Sequence, residues 1–230
     1  MTNGTDGLVY SLSIPLLLFL PLILAVAGGA VAGDAADAYL SPVERQVLDE
    51  LNLARTDPQR YAEFLAAMRR YFNGNHLEYP GQPILVTREG APAVDEAVDF
   101  LRAIRPLPPL IPSRGLSLAA QAHVDDQQSG AMGHTGSDNS QPWDRMNRYG
   151  AWQDEVAENI AYGGYSARGV VIQLIVDDGV PGRQHRRNIF NPDYRFVGVA
   201  CGTHTRLHDM CVMDFAARYT EQENASDQDY

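Results

Sequence analysis

The apolar positions of this chain follow three patterns in turn. From Ile14 to Val31 they are almost continuous. From Val43 to Ile175 they recur mainly every third or fourth residue. From Phe196 to Phe215 they fall in two short runs of strand length. The middle pattern predicts helices. Ser41 caps the first, with Pro42 in its first turn and Glu44 completing a capping box, and Val43, Val47, Leu48, Leu51 and Ala54 form its stripe. Asp57 caps a second, carried by Tyr61, Phe64, Leu65, Met68 and Phe72. Residues 73–90 hold Gly-Asn, Pro-Gly and Gln-Pro pairs and predict a loop or irregular insert containing an exposed His76. Further helices are expected over Ala91–Ile104, Ser117–Ser129 and Arg168–Asp178, with a short one from Pro142. The proline-rich run 105–112 reads as a stiff apolar connection laid across the core.

Strands are expected at Glu155–Tyr162, Phe196–Gly202 and Met210–Phe215. Val197, Val199 and Cys201 share one face of their strand; Cys211, Met213 and Phe215 share one face of the next. Folded as a hairpin about Arg206, the pair sets Cys201 opposite Cys211, Val199 opposite Met213 and Val197 opposite Phe215. Opposed residues of an antiparallel pair lie within disulfide reach. These are the chain's 2 cysteines, so a Cys201–Cys211 bridge is expected. His204 and His208, in the turn, read as exposed. The other face, with Phe196, Gly198, Ala200 and Val212, is apolar too. A sheet apolar on both faces is covered on both. The expected fold class is α+β: a three-layer α-β-α sandwich with a small antiparallel sheet between helices.

Hydrophobic residues make up 45% of 230, ample for one core. The net charge of −11 argues against nucleic acid or an anionic membrane surface as partner. The apolar run, followed by small residues including Ala30-Val-Ala32, predicts a signal peptide or an uncleaved N-terminal anchor over 1–32. The run has no basic flank before it, the first basic residue being Arg45, and no Cys follows it that could carry a lipid. Either reading places the domain outside the cytoplasm, extracellular or in the periplasm and cell envelope, which suits a disulfide. Residues 33–40 read as a linker, 41–217 as the domain and 218–230 as an acidic disordered tail.

Candidate chemistry lies in three islands: Gly133-His-Thr-Gly-Ser-Asp138, Glu158-Asn-Ile-Ala161 and His185-Arg-Arg-Asn-Ile-Phe-Asn-Pro192. Each carries one residue suited to holding a cation or moving a proton: His134, Glu158 and His185. The histidines are about fifty residues apart, so only tertiary structure can unite them. Together with Leu51-Asn-Leu-Ala-Arg-Thr-Asp-Pro58, Ala-Gln-Ala-His123, Asp177-Asp-Gly-Val-Pro181 and the two hairpin strands, these islands resemble the CAP superfamily of cysteine-rich secretory, antigen 5 and pathogenesis-related proteins, in its prokaryote-type branch. The resemblance covers roughly 41–217. Two family glycines are replaced, by Ala157 and Gln184.

The resemblance independently implies the three-layer sandwich and a surface cleft lined by two histidines and two acidic residues, in which some members bind zinc. Carried over, the cleft residues are His134, Glu158, His185 and a second carboxylate from Asp177 or Asp178, with His123 supporting them from behind. Three functions follow as expectations. One is a binding module for a lipid, glycan or protein partner, with a weakly and reversibly held Zn²⁺ in the cleft. The second is a zinc-dependent hydrolase or protease using His134, Glu158 and His185. The third is a structural protein of the cell envelope. No Ser or Cys nucleophile is evident for the second.

Overall fold

Among the described residues, seven strands and seven α-helices follow from a few local rules, and their order decides what stands beside Glu158. They are seen in a computed structural model that describes residues 37–81, 84–163 and 166–222. The expected signal or anchor, the start of the linker and the last eight residues lie outside that range.

Helix α1 (Pro42–Thr56) begins as its sequence dictates. The Ser41 hydroxyl accepts from Glu44 N, and the Glu44 carboxylate accepts from Ser41 N at 2.7 Å. The other oxygen of Glu44 accepts from Cys201 N at 3.0 Å, so the cap also ties α1 to the sheet. Asp57 caps α2 (Pro58–Met68). The segment expected as irregular carries three two-residue strands instead: β1 (Phe72–Asn73), β2 (His76–Leu77) and β3 (Leu85–Val86), a small antiparallel sheet of its own. Its strands are too short for alternation to show in the sequence. Helix α3 (Ala91–Ala103) follows.

The proline-rich connection ends in β4 (Ile111–Pro112), then come α4 (Arg114–Gln127), α5 (Pro142–Met146), β5 (Gly150–Tyr162), α6 (Ala167–Val176), α7 (Gln184–Ile189), β6 (Phe196–His204) and β7 (His208–Glu221). The main sheet has the order β4-β6-β7-β5. It is antiparallel except at the β4 edge, which runs parallel to β6. Helices α4 and α5 cover one face; α1, α6 and α7 cover the other, with α2 and α3 packed outside them. This is the α-β-α sandwich expected.

The hairpin register is the one the alternation requires: Val197↔Phe215, Val199↔Met213 and Cys201↔Cys211, with the two sulfurs bonded. Several elements differ from expectation. Strand β5 starts five residues earlier, because a bulge between Gln153 and Val156 resets its register and lets pairing continue. Strand β7 runs to Glu221, so Arg218–Glu221 are strand and not tail. They pair with Gly150–Gln153, which propensity alone does not reveal. Helix α7 was not expected at all; six polar-rich residues give no periodic signal.

Two packing details fix the site's frame. On β6, a Cβ at Gly198 would lie 2.1 Å from the Leu116 backbone, so only glycine lets α4 approach the sheet so closely. Arg55, buried at the end of α1, donates to the carbonyls of Pro108, Ile189, Asn191 and Tyr194. Burial pushes its pKa down to about 10, and the four bonds hold the loop after α7 against the proline-rich connection.

Candidate functional site

Strand β5 is an edge of the main sheet, and consecutive residues of a strand point to opposite faces. Glu158 therefore faces α4 and α5, while Asn159 faces α7. Each holds one of the two candidate histidines. The His134 ring meets Glu158 Oε1 through Nδ1 at 2.7 Å. The His185 backbone carbonyl accepts from Asn159 Nδ2 at 3.0 Å, and Asn159 Oδ1 accepts from Asn188 on α7 at 2.8 Å. The histidines are thus fastened to adjacent residues of one edge strand, from its two sides.

His185 has its own carboxylate. Its Nδ1 lies 2.6 Å from Asp177 Oδ1, and its backbone N donates to Asp177 Oδ2 at 2.9 Å. The two acidic candidates have different partners. Asp177 faces His185; Asp178 turns away and accepts from the backbone N–H groups of Arg88 and Glu89. Asp177 closes α6 in the left-handed conformation, φ 55°, which an aspartate tolerates better than most side chains. Arg183, also left-handed at φ 53°, precedes α7. The loop between them turns tightly enough to bring His185 back onto the carboxylate eight residues before it.

Both dyads have the same form. Each carboxylate is buried, Glu158 with 1% and Asp177 with 2% of its side chain exposed, while the imidazoles reach solvent at 48% for His134 and 22% for His185. An ionised carboxylate only accepts, so each Nδ1 carries a proton and the neutral ring's lone pair sits on Nε2. Neither Nε2 has a hydrogen-bond partner among the described residues.

Behind His134 lies a charged cluster that sequence reasoning found only in part. Arg145, on α5, is buried and donates to Glu158 Oε2 at 2.6 Å, to the His134 carbonyl at 3.1 Å and to the Ser140 carbonyl at 3.0 Å. Opposite Glu158 across the ladder stands Asp214 on β7, fully buried, its oxygens lacking a donor among the described residues. Burial pushes the Asp214 carboxyl well above the usual range. Glu158 adds to the rise, and Arg145 opposes it. Two carboxylates this close, one of them fully buried, disfavour a second negative charge, and Asp214 is the one pushed toward its neutral form. A signal for Asp214 was present: an acidic residue at an inward position of an otherwise apolar strand. Arg145 gave none, because a short capped helix tolerates an arginine on any face.

His123, on α4, is buried as expected, donating from Nε2 to the Gly133 carbonyl at 2.8 Å, with Glu158 Oε1 at 4.0 Å. Burial is the main reason its pKa is lowered, and the ring is neutral. His204 differs from expectation. It is buried, with Nδ1 accepting from Leu207 N and Nε2 donating to the Ala131 carbonyl. Strand β6 runs longer than its apolar stretch suggests and carries His204 under the 130–133 loop. His208 is exposed, as expected.

Glu158 is thus engaged on both oxygens, and among the described residues no three His, Cys, Asp or Glu side chains form a group that could hold a metal. The donors left over are the two Nε2 atoms. A groove of about 770 Å³ lies beside the His185 loop, lined by Phe100, Gly179–Arg183 and Arg187 among others; neither histidine lines it.

A family model, the cysteine-rich secretory protein family CAP, matches residues 96–215. The chain belongs to that family. Among solved structures, it is similar to an outer surface protein from Borrelia burgdorferi at 21% identity and TM-score 0.40, covering 49% of this chain and 80% of that one. It is similar to an extracellular protein containing an SCP domain from Bacillus anthracis at 19% identity and TM-score 0.40, covering 49% and 35%. A third similarity is to a cysteine-rich secretory protein from Staphylococcus aureus at 16% identity and TM-score 0.37, covering 68% and 49%. The chain spans about a third and about half of the last two. A search of curated proteins gave no match.

Proposed function

We propose that this chain is an exported binding module that takes its ligand along the β5 edge through His134 and His185. One observation carries the reading: each imidazole is locked at Nδ1 by a buried carboxylate, while its ring reaches solvent and its Nε2 has no hydrogen-bond partner among the described residues. A carboxylate behind a histidine fixes tautomer and ring orientation and raises the basicity of the other nitrogen, as it does behind metal-bound histidines. The ligand is a lipid, glycan or protein partner, met by the imidazoles directly or through a divalent cation. Zinc is the cation that two imidazoles suit. With two protein donors and water completing its shell, it would be held weakly and reversibly. Glu158 and Asp177 then act from behind the histidines and do not touch the ion. Export is supported by the Cys201–Cys211 bridge and by the apolar run at the N-terminus.

A hydrolase draws less support from this geometry. The carboxylate expected to serve as its base, Glu158, has both oxygens committed to Arg145 and His134. The test is long-range ¹H–¹⁵N correlation of the imidazoles at pH 7.5. Both His134 and His185 should appear as the Nδ1–H tautomer, and added Zn²⁺ should shift both Nε2 resonances. Tautomers protonated at Nε2, or shifts confined to His76 and His208, would contradict the reading.

A further inference from the structure

Beside Arg145, a cavity of about 130 Å³ opens between α4 and the 136–140 turn. We propose that it holds internal water bridging His123 Nδ1 to Arg145 Nε. Both side chains line the cavity, and both are buried, with 0% and 2% of the side chain exposed. Each has one polar atom without a hydrogen-bond partner among the described residues, and these are His123 Nδ1 and Arg145 Nε. Every other donor nitrogen of the two is accounted for: His123 Nε2 by the Gly133 carbonyl, Arg145 Nη1 and Nη2 by Ser140, His134 and Glu158. Buried polar atoms left over in this way are normally met by ordered water.

The chemistry of the pair selects the ligand. His123 Nε2 faces a carbonyl and must donate, so Nδ1 of the neutral ring accepts. Arg145 Nε donates. The guest must therefore donate to one and accept from the other, as a hydroxyl does. Charged guests are disfavoured. Asp126 and Asp138 at the cavity wall oppose an anion, and Arg145 with Arg148 opposes a cation. The volume exceeds the roughly 30 Å³ that one water takes up in the liquid, so a short chain of waters fits. Such water would fix the last free donor of the guanidinium that holds Glu158. It would thereby join α4 to α5 behind His134, whatever the ligand of the outer site.

Two measurements test this on the purified protein. A crystal structure fine enough to place solvent should show a water within hydrogen-bond distance of both His123 Nδ1 and Arg145 Nε. Oxygen-17 relaxation dispersion should count long-lived internal water in the wild type, with the amplitude lost in Ala122→Leu, whose added atoms enter the cavity from α4. An empty cavity, or water bound only to Asp126 and Asp138, would overturn the proposal. So would an unchanged dispersion amplitude in a folded Ala122→Leu variant. If that variant fails to fold, the wild-type crystal structure decides alone.

Discussion

Replacing Arg145 by methionine keeps the aliphatic stem and removes the charge that neutralises Glu158. Both side chains are buried, 2% and 1% exposed, and the guanidinium makes hydrogen bonds of 2.6, 3.0 and 3.1 Å to Glu158, the Ser140 carbonyl and the His134 carbonyl. Removing one partner of a buried pair leaves an uncompensated charge and costs about 3–5 kcal/mol. Arg148 is the control. It pairs with Asp138 with both side chains about half exposed, and such pairs contribute about 0–1 kcal/mol. Urea denaturation at pH 7 should therefore separate Arg145→Met from Arg148→Met by several kcal/mol at similar m-values. Glu158→Gln in the Arg145→Met background should recover part of the loss, because the orphaned charge goes with it. In a double-mutant cycle the two residues should couple by about 0.5–3 kcal/mol. An Arg145→Met variant within about 1 kcal/mol of wild type, or simple additivity with Glu158→Gln, would refute the picture of a buried, charge-balanced brace.

Reduction of Cys201–Cys211, which closes a loop of sequence separation 10, should cost about 2–3 kcal/mol in the chain-entropy model; a melt with and without reductant checks this, and no change would contradict it. Burial lowers the His123 pKa in the folded protein, so the native state binds fewer protons than the unfolded chain below about pH 6.5. Its contribution is complete above that value and is lost as pH falls toward the folded pKa, so His123→Leu should flatten stability between pH 7 and pH 5. Asp214 has the opposite sign, since its raised pKa makes the native state bind more protons than the unfolded one, and stability falls as pH rises above the unfolded carboxylate value. Asp214→Asn, which cannot titrate, should gain on wild type steadily from pH 4 to pH 8 in denaturant titrations; a gain on going down in pH would contradict the raised pKa.

The fold was legible wherever local chemistry repeats. The Ser41–Glu44 box, the Asp57 cap and the β6–β7 alternation each fix their element through neighbours in the chain or a single turn. The 150–153 with 218–221 pairing was not legible, because it depends on a bulge and on a strand some seventy residues away. The candidate site divides in the same way. His134, Glu158 and His185 stand out as ligand-type residues in loop-rich islands, yet their partners are set by tertiary structure. Sequence could not choose between Asp177 and Asp178; the choice depends on a left-handed residue at the end of α6. Arg145 became part of the site because Gly198 lets α4 settle onto the sheet and α5 packs beside it. His204 was misplaced because burial of a turn histidine depends on what covers it, here the 130–133 loop.

The central claim is that His134 and His185 work together, each presenting a lone pair at Nε2. Calorimetric titration of Zn²⁺ at pH 7.5 and pH 5.5, on wild type and on His134→Ala/His185→Ala, tests it most directly. Neutral imidazole is required for metal binding, so affinity should fall as pH drops through about 6.5. Wild type should bind weakly at pH 7.5, lose most of that binding at pH 5.5, and the double variant should bind at neither pH. Equal binding by wild type and double variant, or none by wild type at pH 7.5, would contradict the claim.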